Sequence, residues 1–225
     1  MTRVKICGIT NTEDALCAAE AGADFLGFIL YPGSPRYVSV DVVASITQVL
    51  RAAFGVNAPR CVGVFVDVSV DAVREAIARS GLDLAQLHGN ESPDVITALR
   101  ACVFKAIRPR TLDEAAAAYR SYGSAVPQLP DHPQLLVDAY HPHYAGGTGE
   151  HADVTVARWL AQQCPILLAG GLTPDNVADA IASVRPWGVD VSSGVEATKG
   201  RKDHGRIRAF VQAVHSNTDD HGADQ

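Results

Sequence analysis

Apolar residues along the chain fall into short runs separated by longer stretches of helical period. The runs are Arg3–Cys7, Phe25–Leu30, Cys61–Val66, Leu82–Leu87, Val103–Ile107, Leu135–Asp138, Ile166–Ala169 and Gly188–Val191. Apolar runs of this length, with little polar alternation, predict strands buried on both faces. Between them, Thr12–Ala21, Val40–Ala53, Val70–Ser80, Pro93–Arg100, Leu112–Tyr122, Val154–Gln163 and about His204–His215 carry the helical period. Asn11 or Thr12 offers a cap to the first helix, Gly22 ends it, and Gly81 stops the third. Thr173 and Pro174 have the types favoured at an N-cap and a first helical position, so a helix is also expected after the seventh strand.

Eight strand–helix units follow one another with no break in composition. That predicts one domain over residues 1–215, with parallel strands paired through helical crossovers. A single (β/α)8 TIM barrel fits this count and length. An open doubly wound sheet is the alternative, but no GxGxxG follows the first strand. The polar tail at residues 216–225 is expected to be disordered.

Composition narrows the function classes. The 225 residues carry a formal charge of −6, with 47% hydrophobic and 6% aromatic content. With no basic stripe or stacking platform, nucleic-acid binding is not expected. Charged residues interrupt every apolar run before membrane-spanning length, so no membrane role is expected either. The first strand begins almost at residue 1, which leaves no room for a signal peptide. The five cysteines (7, 17, 61, 102 and 164) include no CxxC pair and read as reduced thiols of a cytoplasmic protein. Oligomeric state is not encoded visibly, and monomer and homodimer both fit.

In barrels of this kind the active site lies at the C-terminal ends of the strands. Strand seven ends in Gly170-Gly171, where bare backbone allows a ligand close, and a helix start follows. Strand eight ends in Ser192-Ser193-Gly194, a second set of amide and hydroxyl donors. Together they predict a phosphate site between neighbouring loops, although each glycine taken alone reads equally as a tight turn. The other strand ends deliver Cys7, Arg36, Gln86 with His88, Arg108, Asp138 with Gly146–Gly149, and Asp190. By type alone Cys7 fits packing as well as catalysis, Asp138 a loop cap as well as an acid, Arg36 a surface group, and His88 a turn residue. His141 and His143 resemble metal ligands, but no matching Cys, Asp or Glu spacing supports a metal site.

Several motifs occur in a telling order: Lys5-Ile-Cys-Gly-Ile-Thr10, Ser34-Pro-Arg36, Gln86-Leu-His-Gly89, Leu136-Val-Asp138, Gly146-Gly-Thr-Gly149, Ala169-Gly-Gly-Leu172 and Asp190–Glu196. The set resembles the phosphoribosylanthranilate isomerase family of tryptophan biosynthesis, from residue 4 to about 211. That resemblance implies an Amadori rearrangement of a small-molecule phosphosugar, with no cofactor and no metal. It implies Asp138 as general acid, Cys7 as general base and Arg36 as partner of the anthranilate carboxylate. His88, Gly147 and Thr148 would also bind substrate, and Gly170, Gly171, Ser192, Ser193 and Gly194 would hold the phosphate. Lys5, two residues before Cys7 on the same face, is expected near Asp190 and is expected to set the field at the thiol.

Other phosphosugar barrels remain as alternatives. An epimerase would bring paired carboxylates and a metal, and an indole-glycerol-phosphate synthase a lysine acid and an N-terminal extension. A non-catalytic phosphate-binding barrel would lose no turnover on changes at Cys7 or Asp138. Dual-specificity barrels acting on a related aminoaldose usually carry aspartate where Cys7 stands.

Overall fold

A computed structural model describes residues 1–99, 102–123, 125, 126, 129, 131–138 and 150–219. Eight strands alternate with eight helices. The strands are β1 (Arg3–Cys7), β2 (Phe25–Ile29), β3 (Arg60–Phe65), β4 (Leu84–Leu87), β5 (Val103–Ile107), β6 (Leu135–Asp138), β7 (Ile166–Ala169) and β8 (Gly188–Val191). They pair in chain order, all parallel, and β8 returns to β1 to close the barrel. The helices are α1 (Thr12–Glu20), α2 (Val40–Phe54), α3 (Val70–Ser80), α4 (Pro93–Leu99), α5 (Leu112–Tyr122), α6 (Glu150–Gln163), α7 (Val177–Val184) and α8 (His204–Asp219). Each packs against the next, and α8 packs against α1, so the helical layer also closes into a ring. The fold is the expected (β/α)8 barrel.

Local chemistry accounts for the element boundaries. The side chains of Asn11, Ser39, Ser69 and Thr111 each accept a backbone N–H in the first turn of α1, α2, α3 and α5. These satisfy donors that the helix leaves orphaned. Aspartates just ahead of two strands tie those strands to their neighbours. Asp24 accepts from Val4 N at 2.7 Å, and Asp83 accepts from Cys61 N at 2.7 Å.

Two helix bounds differ from expectation, and one small element is new. Regular helix in α7 begins at Val177, not at Pro174. Thr173 and Asn176 first close a turn: Thr173 N donates to Asn176 Oδ1 at 2.8 Å, and Asn176 Nδ2 donates to Gly171 O at 3.0 Å. The Thr173 amide is therefore satisfied within the loop and is not offered to an anion. The last helix continues through Ser216 to Asp219. A small antiparallel pair, β9 (Glu196–Thr198) and β10 (Arg201–Lys202), was not expected at all.

No described helix is long and apolar enough to cross a membrane. The described cysteines are unpaired, and burial pushes the thiols of Cys61 and Cys164 up to about 12, as suits inert packing groups.

Far from the strand ends, His132 is buried edge-on to Phe104, and its Nδ1 lies 2.6 Å from Pro133 O. That contact assigns the proton to Nδ1, and Nε2 has no partner among the described residues. Burial lowers the pKa of His132, and burial also lowers that of His88. As pH falls through 6.5, the ordinary histidine value, the unfolded chain takes up these protons before the folded one, so stability falls. Thermal midpoints measured on either side of that pH should drop on acidification. His132→Asn, which keeps a donor for Pro133, should flatten the drop without abolishing it; an unchanged slope would exclude His132 as a contributor.

Candidate active site

Alternation along each strand sends every second side chain into the barrel. At the C-terminal ends this delivers Cys7 from β1, Val64 and Val66 from the end of β3, Gln86 and His88 from the end of β4, and Leu136 and Asp138 from β6. All line one cavity of about 380 Å³. Arg36, Arg108, Gly170, Gly171, Ser192, Ser193 and Gly194 complete its wall. The structure thus brings together every site residue expected from sequence except Gly147 and Thr148. Those two lie outside the described residues, as do His141 and His143. Among the described residues no cluster of His, Cys, Asp or Glu could hold a metal.

The thiol sits over a charged floor. Lys5 is fully buried, pairs in register with Asp190 across the β1–β8 seam, and donates to Asp190 Oδ1 at 2.6 Å. Burial opposes the charge on Lys5, but Asp190 and Cys7 outweigh burial and hold the ammonium above its ordinary pKa. For Cys7 the balance differs. Burial pushes the thiol up, and Asp190 adds to that, while Lys5 and Lys202 pull it down without prevailing. The expectation that Lys5 lies at Cys7 holds, and burial raises the thiol pKa in spite of the neighbouring ammonium.

Gly27, beside Cys7 in the β1–β2 register, makes room for this arrangement. A Cβ on Gly27 would lie 2.7 Å from Cys7 Sγ and 3.0 Å from Lys5 Nζ.

Arg36 is held by a partner that sequence reasoning missed. Its Nε and one terminal nitrogen donate to the two carboxylate oxygens of Glu196 at 2.7 and 2.8 Å. Lys202 Nζ donates to the same carboxylate at 3.2 Å and to Ser192 O at 3.0 Å. Burial works against the charge on Glu196, yet Arg36 and Lys202 together lower its pKa. The β9–β10 pair carries Glu196 and Lys202, which lie behind the cavity lining and hold Arg36 in it.

Across the mouth, Arg108 Nε donates to Asp138 Oδ2 at 3.0 Å, and a terminal nitrogen of Arg108 lies 2.8 Å from His88 Nε2. Gln86 lies 2.8 Å from His88 Nδ1. A guanidinium can only donate, so His88 Nε2 accepts, the neutral ring carries its proton on Nδ1, and Gln86 must present its oxygen. Burial, then Arg108, lowers the His88 pKa, which agrees with a neutral ring.

The phosphate end is built from the β7 and β8 loops. Gly170 and Gly171 have φ of 102° and 60°, backbone conformations that side-chain-bearing residues rarely adopt. The Ser192 hydroxyl is buried and without a hydrogen-bond partner among the described residues. A buried hydroxyl left unpaired beside bare backbone is a donor set waiting for an acceptor-rich ligand.

Comparison with known proteins decides the family. The family model described as N-(5'phosphoribosyl)anthranilate (PRA) isomerase matches residues 4–213. The chain belongs to that family. It is an isomerase. An N-(5'-phosphoribosyl)anthranilate isomerase of Geobacter sp. strain M21 is 47% identical over 213 residues, covering 94% of this chain and 97% of the relative. The crystal structure of phosphoribosyl anthranilate isomerase from Thermotoga maritima matches with a TM-score of 0.81 at 36% identity, covering 96% of this chain and all of that one. A second isomerase structure, in complex with reduced 1-(o-carboxyphenylamino)-1-deoxyribulose 5-phosphate, matches with a TM-score of 0.80 at 34% identity, over 96% and 100% of the two chains.

The tight fit at Gly27 is directly testable in this isomerase. Gly27→Ala should displace the thiol while the circular dichroism spectrum stays unchanged, and, if the thiol acts in turnover, lower kcat roughly 100-fold. Full activity in that variant would show that the thiol's position does not matter.

Proposed function

We propose that this isomerase converts N-(5'-phosphoribosyl)anthranilate into 1-(2-carboxyphenylamino)-1-deoxyribulose 5-phosphate in tryptophan biosynthesis, with Asp138 as general acid and Cys7 as general base. The observation that carries the reading is convergence. One carboxyl and one thiol, from β6 and β1, line a single cavity whose neighbouring wall is the glycine- and serine-rich β7–β8 end.

The chemistry runs in three steps. Protonated Asp138 gives its proton to the furanose ring oxygen, and the C1'–O bond breaks to leave an open-chain iminium. The Cys7 thiolate then takes the C2' proton, and the electron pair neutralises the iminium to an enolamine. Finally the enolamine gains a proton at C1' and loses the one on the C2' oxygen, giving the ketone and returning both side chains to their starting states. Oriented acid and base groups of this kind contribute roughly 10²- to 10⁴-fold each. The phosphate would lie on Gly170, Gly171, Ser192, Ser193 and Gly194. Arg36, fixed on one edge by Glu196, keeps its other N–H groups for the substrate carboxylate.

The base must be a thiolate, and burial favours the thiol. Lys5 supplies part of the required positive field, and the iminium, one bond from C2', supplies more. Because burial raises the Cys7 pKa, the thiolate fraction, read by mass spectrometry as the rate of Cys7 alkylation, should keep rising with pH toward and beyond 9.0, the ordinary thiol value. Lys5→Met removes a cation that favours the thiolate and should move this rise to higher pH; an unmoved profile would exclude Lys5 from the activation.

The decisive assay follows the fluorescence of phosphoribosylanthranilate as the purified protein consumes it. Cys7→Ser and Asp138→Asn should each slow the decay by roughly 10²-fold or more, with product binding largely retained. Turnover within a few-fold of wild type in either variant would remove that residue from the mechanism.

A further inference from the structure

The two arginines at the cavity mouth are not equivalent. Arg36 is 19% exposed and locked bidentately on Glu196, which also meets Lys202. Arg108 is 65% exposed and meets Asp138 through a single N–H. Its other described partner is His88, a neutral acceptor that orients the guanidinium without neutralising it. A fork of five donors held by one carboxylate oxygen and one ring nitrogen keeps most of its capacity for a planar bidentate anion.

Position points the same way. In the closed order β1 to β8, the ends of β7 and β8 face those of β3 and β4 across the mouth. A phosphosugar anchored by its phosphate at β7–β8 sends its aryl group toward β3–β4. There Val64 and Val66 offer apolar walls. Arg36, after β2, and Arg108, after β5, stand on either side. A second cavity of about 540 Å³ adjoins the first at Val66, His88 and Arg108, so the Arg108 side chain has open volume in which to swing.

The same guanidinium also covers part of Asp138. The Asp138 Oδ2 lone pair that meets Arg108 Nε–H at 3.0 Å is turned to the guanidinium and not to the sugar. A substrate that draws the guanidinium away leaves that oxygen open.

We propose that Arg108 is a carboxylate-binding residue that changes partner: it rests on Asp138 and moves to the aryl carboxylate of the substrate, leaving Asp138 Oδ2 open to the sugar. The proposal rests on the reaction given above and adds to it a reason for the enzyme to require an acidic aryl group. A substrate without the carboxylate would leave the guanidinium on Asp138.

The test uses calorimetric titration of the full-length enzyme with two ligands. One is reduced 1-(o-carboxyphenylamino)-1-deoxyribulose 5-phosphate, and the other is the same molecule without the carboxylate. Arg108→Gln should weaken the first roughly 10- to 100-fold, the scale of a lost charge-assisted hydrogen-bond pair, and leave the second nearly unchanged. Arg108→Lys should fall between, because it keeps the charge and loses the fork; it also carries the test if the glutamine variant does not fold. Equal weakening of both ligands, or of neither, would overturn the proposal. Wild-type protein that neither binds the carboxylated ligand nor turns over phosphoribosylanthranilate would instead overturn the functional reading on which it stands.

Discussion

The barrel closes over a buried ion pair. Lys5 on β1 and Asp190 on β8 meet in register at the seam, with Lys5 fully removed from solvent. Burying an ammonium costs several kcal/mol even when it is paired, and well-packed apolar residues often serve stability as well or better. The seam itself needs no charge, since backbone ladders join β8 to β1 and β7. Lys5 is therefore best understood through what lies above it, the Cys7 thiol and the open mouth of the barrel. The pair places a fixed positive charge beside the Cys7 thiol and holds it by a carboxylate distant in sequence. Gly27 leaves the space that lets thiol and ammonium stand side by side.

The same device recurs around the rim. The cations in and behind the cavity wall are held by carboxylates: Lys5 by Asp190, Arg36 and Lys202 by Glu196, Arg108 by Asp138. The pairs differ in tightness. Lys5 and Lys202 are buried and fixed, Arg36 is clamped on one edge, and Arg108 is exposed with a single N–H on its carboxylate. That gradient runs from the floor to the mouth. It suits a site whose field must be preorganised where charge develops and yielding where the substrate enters.

Strand positions were legible in the sequence because parallel strands buried on both faces leave apolar runs that little else produces, and all eight fall where those runs lie. The starts expected at Thr12, Val70 and Leu112 were met, and Asn11, Ser69 and Thr111 cap those helices. At Thr173-Pro174 the cap signature was present, but Asn176 closed the turn first. The β9–β10 pair was invisible because strands of three and two residues are too short to carry a period. Cys7, Asp138, Arg36 and His88 were readable as strand-end residues in a barrel of known polarity, and their common cavity follows from that polarity. Glu196 was read only as the end of a motif, because its partner Arg36 lies 160 residues away and nothing in local pattern links them. Arg108 was visible as a strand-end residue, but the His88–Arg108–Asp138 chain depends on three side-chain directions that sequence does not give.

The central claim is that Cys7 and Asp138 address two atoms of one sugar. A crystal structure of this protein with reduced 1-(o-carboxyphenylamino)-1-deoxyribulose 5-phosphate tests it most directly. The account predicts Cys7 Sγ within about 3.5 Å of the C2' carbon and the Asp138 carboxyl within hydrogen-bond reach of the hydroxyl that was the ring oxygen. It places the phosphate against Gly170, Gly171 and Ser192. A sugar bound with either side chain turned away from its atom, or with the phosphate at another pair of strand ends, would contradict it.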